Sequence, residues 1–403
     1  MESRLQRLKT ARIEPLFIFL FFFNCFLLPQ GITFSLLFTP AWLYLLHQSG
    51  RLHLLKYFLL ILGAYAVIHF CLGVDMLYYN VSSILLFGNC IFCVAVVPYL
   101  GGPDISYEHL FRRIVLLNFA FTLISIPLLW IPPLKSLVWY SMSMSDNIRV
   151  LPRLKLFCYE ASHYSYLLVP VVIYYYSRLM FTGDRQLLPA LIMISIPLLL
   201  SLSFGVIGCL LFSGCLIGLI YFRRIFDTAK KRLLLLSGIG VLIVTAYVLY
   251  RYFPGNILLV RIQNMLDGKD TSARGRTYES FILAQKIIAR KSYLWGIGPG
   301  QLKVLGRPII VQYYYYSNIP ATIRIPNACA ETIVCFGYVG FAIRIAVQLI
   351  LFYTTQVFKS PYRLWLFLFL FIFQFMGSYI TNVTEYIFWM LVFSPSLHFF
   401  AKK

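Results

Sequence analysis

"LLKYFLLILGAYAVIHFCLG" occupies residues 54–73 and holds one formal charge, Lys56, near its start. An α-helix rises about 1.5 Å per residue, so a run of this length matches the roughly 30 Å hydrocarbon core of a bilayer. Three other runs have the same character: "PLFIFLFFFNCFLLP" (15–29), "LLLLSGIGVLIVTAYVLY" (233–250) and "RLWLFLFLFIFQFMGSYI" (363–380). The composition agrees. Of 403 residues, 60% are hydrophobic and 12% charged, against about 25% charged in a soluble domain. A backbone in lipid must satisfy its own hydrogen bonds, and uninterrupted apolar runs do so as helices. The expected fold is therefore all-α, a polytopic transmembrane helix bundle.

Apolar runs and their breaks predict about twelve spans, near 15–29, 32–46, 54–73, 79–99, 114–131, 160–181, 187–203, 205–222, 233–250, 328–355, 363–379 and 386–400. The first follows a basic tail without a small-residue cleavage site, so it is read as a retained span. With twelve spans, the basic residues of the tail (Arg4, Arg7, Lys9, Arg12) and of alternate short connections fall on one side. These include Arg51 with Lys56, Arg112 with Arg113, and "RRIFDTAKKR" at 223–232. The positive-inside rule makes that side the cytoplasm and puts both termini there. One integrated membrane domain results: an N-terminal bundle (1–250), a large extracytoplasmic basic loop with short amphipathic helices (251–327), and C-terminal spans (328–403).

The net charge is +21, from 35 Lys and Arg against 14 Asp and Glu. In a soluble protein this would point to nucleic acid; in a membrane bundle the placement of the charge matters more, and no nucleic-acid partner is expected. Residues 251–327 hold eleven Lys and Arg against three acids, Asp267, Asp270 and Glu279. That outward surplus runs against the orientation rule. Long loops translocate largely regardless of charge, and anionic lipid attracts basic residues. The sharper alternative is an anion site built on arginines, whose planar forks grip two phosphate oxygens at once. "TSARGRTYES" (271–280) supplies Arg274 and Arg276 for it.

Several short stretches carry candidate chemistry. "TYESFILAQKIIARKSYLWGIGPGQ" (277–301) predicts an amphipathic helix along the interface, with Tyr278, Phe281, Ile282 and Ile288 on its apolar side. The glycines that end it, Gly298 among them, make either a plain turn or a backbone shaped for close approach to a ligand. "IPNACAETIVCFGYVGF" (325–341) sets Asn327 and Glu331 one turn apart on a shared face. Glu331 is either functional or the partner of an arginine; Arg344, deeper in the same run, reads as structural. "FCYEASHYSYLLVP" (157–170) makes Glu160 and His163 neighbours on one helix face, each able to accept a proton. The nine cysteines fall mostly in apolar spans and read as inert packing thiols. No Asp/Glu/His set has ligand spacing on the outward side, so neither metal nor cofactor is expected.

Taken in order, an arginine before a helix, a G-x-G-x-G turn, then Asn and Glu ahead of a G-x-x-G at the head of a span resembles the O-antigen ligase and polysaccharide polymerase superfamily. "YEASHYSYLLVP" looks like the E-P-S element of its exopolysaccharide polymerases, with Ala161 where proline is common. Ligases usually carry His before the Asn, where this chain has Pro326, and relatives often carry Arg where "SLSFGVIG" has Phe204. Both departures favour a Wzy-type polymerase over a ligase transferring glycan to lipid A core or protein. The resemblance implies metal-independent glycosyl transfer at the periplasmic face of a bacterial inner membrane. The substrate would be a polyprenyl diphosphate-linked glycan in membrane lipid, with a chain-length regulator and export proteins as partners. On that reading Arg276 and Arg274 meet the diphosphate and Arg324 is a third contact. Asn327 and Gly298 belong to the substrate site. Glu160 is the base, with His163 and Glu331 as rivals. A polysaccharide flippase is the alternative from a different class, twelve spans being ordinary for one.

Overall fold

The computed structural model describes residues 14–29, 31–100, 106–141, 151–225, 257–315 and 324–395, with a few isolated positions besides. Most of the expected ninth span, 233–250, lies outside the described residues, as does the basic tail. The chain is all-α. Its helices are α1 (Glu14–Phe23), α2 (Phe34–Leu37), α3 (Thr39–Gln48), α4 (Leu55–Cys71), α5 (Met76–Leu100), α6 (Tyr107–Ser125) and α7 (Pro132–Val138). A two-residue ribbon follows, β1 (Trp139–Tyr140) antiparallel to β2 (Arg153–Leu154). Then come α8 (Ala161–Thr182), α9 (Leu188–Leu200), α10 (Phe204–Ile220) and α11 (Phe222–Ile225). The basic segment holds α12 (Ile257–Leu266), α13 (Thr271–Arg276), α14 (Tyr278–Ile288) and α15 (Gly306–Tyr314). Finally α16 (Ala328–Thr354), α17 (Pro361–Phe373) and α18 (Val383–Phe393) close the chain.

Among the described residues, four helical stretches are long and apolar enough to cross a membrane: 52–71, 76–100, 107–130 and 328–354. Five apolar helices of 10–17 residues accompany them. Membrane character is therefore clear, while the count of twelve is not reached. The expected second span is one reason: at Phe38 the chain leaves helical geometry and divides it into α2 and α3. Lipid-facing surface is evident from large apolar side chains left open, such as Leu60 (69% exposed) and Leu219 (71%). In water such a surface would be a liability; in a bilayer it is solvated.

The bundle is built around α8. Its residues 164–175 are buried without interruption, as a helix apolar all round must be, and α9, α10 and α17 pack against it. The helix ends where Gly183 adopts left-handed φ of 70°, the usual conformation for closing a last turn.

α16 differs from the continuous span that was expected. At Gly337 the backbone takes φ 67° and ψ −170°, so 328–336 and 338–354 are separate helices meeting at a break. The polar groups released there are taken up by the glycine-rich turn. Ile297 N donates to Val334 O at 2.8 Å and Gly298 N to Cys335 O at 3.1 Å, while Tyr338 N donates to Tyr293 O at 3.0 Å. The approach is backbone on backbone: a Cβ at Gly296 would stand 2.6 Å from both Gly337 N and Val334 O. The glycines of this turn serve that backbone contact, Gly298 through its N–H to Cys335 O.

The basic segment is a packed helical unit. Leu283, Ala284, Ile287 and Ile288 of α14 join Ile297, Leu302, Ile310, Ala330, Ile333 and Val334 in a small core against the first half of α16. Of the four residues expected on the apolar side of α14, Ile288 lies in this core and Phe281 packs against it, while Tyr278 is 52% exposed and Ile282 36%, and Glu279 and Ser280 are buried. Docking on α16 rotates the helix so that the 283–284–287–288 side is covered. Periodicity alone marked a broader apolar arc and left that choice open.

Candidate functional site

Asn327 ties the site together. Its backbone is extended (φ −153°, ψ 113°) at the start of α16, and its Oδ1 accepts from Ala330 N at 2.9 Å, an N-cap. Its amide nitrogen donates to Arg276 O at 2.8 Å and to Phe375 O at 2.6 Å. One fully buried side chain thus joins the end of α13 to the loop after α17. Two α16 amides also bind that loop, Ala328 N to Gly377 O (3.0 Å) and Cys329 N to Gln374 O (3.1 Å). Glu331 completes the attachment, its Oε2 accepting from Ile380 N at 2.7 Å. Both partners of the Asn–Glu pair therefore grip the 374–380 loop.

That loop presents Tyr379, and around it four of the residues singled out in the sequence converge. Arg324 lies over its ring, with the guanidinium carbon 5.3 Å from the centroid. Glu160, Arg276, Glu331 and Arg324 all act electrostatically on its phenol. Burial pushes that phenol up to about 12; Glu160 and Glu331 add to the effect, and Arg276 and Arg324 oppose it. Tyr140, on β1, is a second phenol in the group: burial raises it, as does Glu160, while Arg153 and Arg276 act the other way. Arg153, on β2, is anchored by a bond from its Nε to Ser201 O at 3.0 Å. Tyr159 is a third, raised by burial and opposed by Arg324. The site is thus a cluster of mixed charge at the start of α8, the start of α16 and the loop before α18.

The arginines divide into two kinds. Arg274 is already engaged: its guanidinium pairs with the buried Glu279 at 2.5 Å, donates to Gly268 O at 3.2 Å and lies by the Tyr278 ring. Glu279, which also accepts from Tyr314 OH at 3.1 Å, holds the Arg274 guanidinium above its ordinary pKa. Arg276 and Arg324 form no ion pair with any carboxylate among the described residues.

Glu160 and His163 also part ways. Glu160 sits at the N-cap of α8, its side chain making no capping bond and instead accepting from the Ser162 hydroxyl. His163 lies with Cys25 and Cys158, the ligand-type atoms of all three within 4.8 Å of one another.

Arg344 has the structural role expected of it. It pairs with Glu385 and donates to Gln374 Oε1 at 3.0 Å and Thr332 Oγ1 at 3.3 Å. Tyr379, Tyr140 and Arg153 are the members that sequence reading missed. None of the three lies in a stretch whose pattern singles it out. No protein-family model matches the chain, and no curated protein matches it.

Proposed function

We propose that the protein is a membrane glycosyltransferase that polymerises polyprenyl diphosphate-linked oligosaccharide repeat units at the extracytoplasmic face of a bacterial inner membrane. The observation carrying this reading is the convergence of Arg276 and Arg324, two cations without carboxylate partners among the described residues, with the carboxylate Glu160 around Tyr379. Glycosyl transfer from a lipid diphosphate needs those elements. A hydroxyl of the acceptor glycan attacks the anomeric carbon, its proton passes to a base, and the bond from that carbon to the diphosphate oxygen breaks. Negative charge grows on the departing diphosphate, and preorganised cations away from bulk water stabilise it.

In this reading Arg276 and Arg324 hold the diphosphate, and Glu160 accepts the proton. Glu331 is less suited because one of its oxygens already binds Ile380 N, and His163 faces the thiols. Arg274 shapes α13 through Glu279, and Asn327 positions Arg276. Charge-assisted contacts contribute about 1.5–3 kcal/mol each, so loss of one arginine should slow transfer by roughly ten- to a hundredfold.

The break in α16 at Gly337 favours a second reading, a flippase, because transporters often build substrate sites from discontinuous helices. Against it, the polar groups at this break are occupied by 293–298. Purified protein in liposomes separates the two: elongation of lipid-linked oligosaccharide without ATP or an ion gradient supports the polymerase, and translocation without elongation refutes it. In a complemented deletion strain, normal polymer yield and length from Arg276→Ala would remove the assignment. Full activity in Glu160→Gln would take the base role from Glu160.

A further inference from the structure

Cys25 lies in the turn after α1, Cys158 in the turn before α8, and His163 in the first turn of α8. Both cysteines are 5% exposed, and Cys25 Sγ donates to Phe157 O at 3.7 Å, within the turn that carries Cys158. The imidazole completes a group whose ligand-type atoms all lie within 4.8 Å. The two turns are held against each other independently of these side chains. The Phe23 and Phe157 rings stack with centroids 4.6 Å apart, and Phe26 meets Phe157 edge-on at 5.0 Å. Tyr159 OH lies 2.8 Å from Pro29 O and 2.6 Å from Ile32 O. Among the described residues no hydrogen-bond partner competes for the His163 ring.

Two thiols and one imidazole on a rigid frame make a donor set with a definite preference. Thiolate and imidazole select Zn2+ or Cu+ over Mg2+ and Ca2+, which take oxygen. Zinc–sulfur bonds near 2.3 Å and zinc–nitrogen bonds near 2.0 Å put tetrahedral ligand atoms about 3.6 Å apart. A group already within 4.8 Å reaches that spacing by side-chain rotation, without moving helices. Lys155 and Glu160 are the charged groups acting on Cys158, Lys155 also acts on Cys25, and Glu160 acts on His163. The nearby carboxylate offsets part of an incoming cation's charge.

We propose that Cys25, Cys158 and His163 form a three-ligand site for a thiophilic cation, Zn2+ foremost, which clasps the turn after α1 to the start of α8. Binding converts two thiols to thiolates, so one Zn2+ enters and two protons leave. A fourth position stays open to water. The site is independent of the glycosyl-transfer reading, and its readout is binding.

The test uses full-length, tag-free protein in detergent, stripped by chelator and kept reduced with a phosphine. Titration with Zn2+ against a chromophoric chelator should give one equivalent. Titration with Co2+ should give a thiolate-to-cobalt charge-transfer band and the absorption of a tetrahedral ion. Bound Zn2+ should also protect Cys25 and Cys158 from alkylation in the wild-type chain, a measurement that requires no variant to fold. Cys25→Ser and Cys158→Ser should each weaken binding at least tenfold, and His163→Ala should weaken it measurably. Cys71→Ser, at an exposed thiol on α4, should leave it unchanged. Absence of saturable binding, absence of the charge-transfer band, or alkylation of Cys25 and Cys158 unaffected by Zn2+ would each overturn the proposal. So would isolation with a Cys25–Cys158 disulfide that takes up no metal after reduction.

Discussion

α16 carries two polar groups that treat charge in opposite ways. In its second half Arg344 is paired with Glu385 and bonded to Gln374 and Thr332, and Gln374 in turn exchanges hydrogen bonds of 2.9 and 3.0 Å with Gln348. At its first turn Glu331 belongs to the cluster where Arg276 and Arg324 have no carboxylate pair among the described residues. Twelve residues of straight helix span about 18 Å, too far for Arg344 to reach Thr332. The break at Gly337 folds the second half back and makes their 3.3 Å contact possible. In the second half of α16 the arginine is neutralised by a carboxylate, because an unpaired ion among apolar helices is costly. Arg363, fully buried on α17, is held instead by Val392 O, Thr355 O and the Thr355 hydroxyl. At the Tyr379 loop, where helices end, Arg276 and Arg324 form no pair with a carboxylate among the described residues.

That contrast is most exposed at Arg344. Arg344→Ala leaves Glu385 buried and unpaired, a loss of about 3–5 kcal/mol; thermal unfolding in detergent should fall sharply. The double variant Arg344→Met with Glu385→Leu should recover much of that loss, since removing both charges also removes the desolvation cost. A double variant no better than the single one would show that the pair does more than neutralise itself. Asn327→Ala comes next, losing an N-cap of about 1 kcal/mol and two further hydrogen bonds of about 1 kcal/mol each. It should lower both melting temperature and polymer yield, because Arg276 is released along with the 374–380 loop.

Arg276→Ala should leave melting almost unchanged and reduce polymer yield roughly ten- to a hundredfold, by the loss of one charge-assisted contact. Equal loss of stability and activity would place Arg276 with Arg344 and dissolve the contrast. Arg274→Ala should reduce polymer yield less than Arg276→Ala, because Arg274 is already held by Glu279. The smallest effect belongs to Tyr379→Phe. With its phenol pushed up to about 12, Tyr379 stays protonated below that value in the folded protein. Rate–pH profiles of wild type and Tyr379→Phe between pH 6 and 9 should therefore have the same shape, and a limb lost in the variant would mean the phenol titrates in the reaction.

Much of this was legible residue by residue. The run 54–73 became α4 and 160–181 became α8, since apolar length is a property of the chain itself. Asn327 and Glu331 were legible as a pair one turn apart, but not as holders of the loop that carries Tyr379. Glu160 and His163, neighbours on a helix face, were legible as one candidate base with a rival. Their separation, one toward Tyr379 and the other toward two thiols, depends on what packs on either side of α8. The Cys25–Cys158 pair was invisible because six helices, α2 to α7, lie between its members along the chain. α14 erred for a related reason: its apolar arc was wider than the face α16 covers.

The sequence by itself determined that this chain is helical and suited to lipid, because 60% hydrophobic content in long runs leaves the backbone no other way to satisfy its hydrogen bonds. It also determined that cationic charge is concentrated between 251 and 327. Only the tertiary structure decided which of those cations stay unpaired. Whether an arginine is paired depends on how helices pack: Glu279 reaches Arg274 across the turn between α13 and α14, and Glu385 reaches Arg344 from α18.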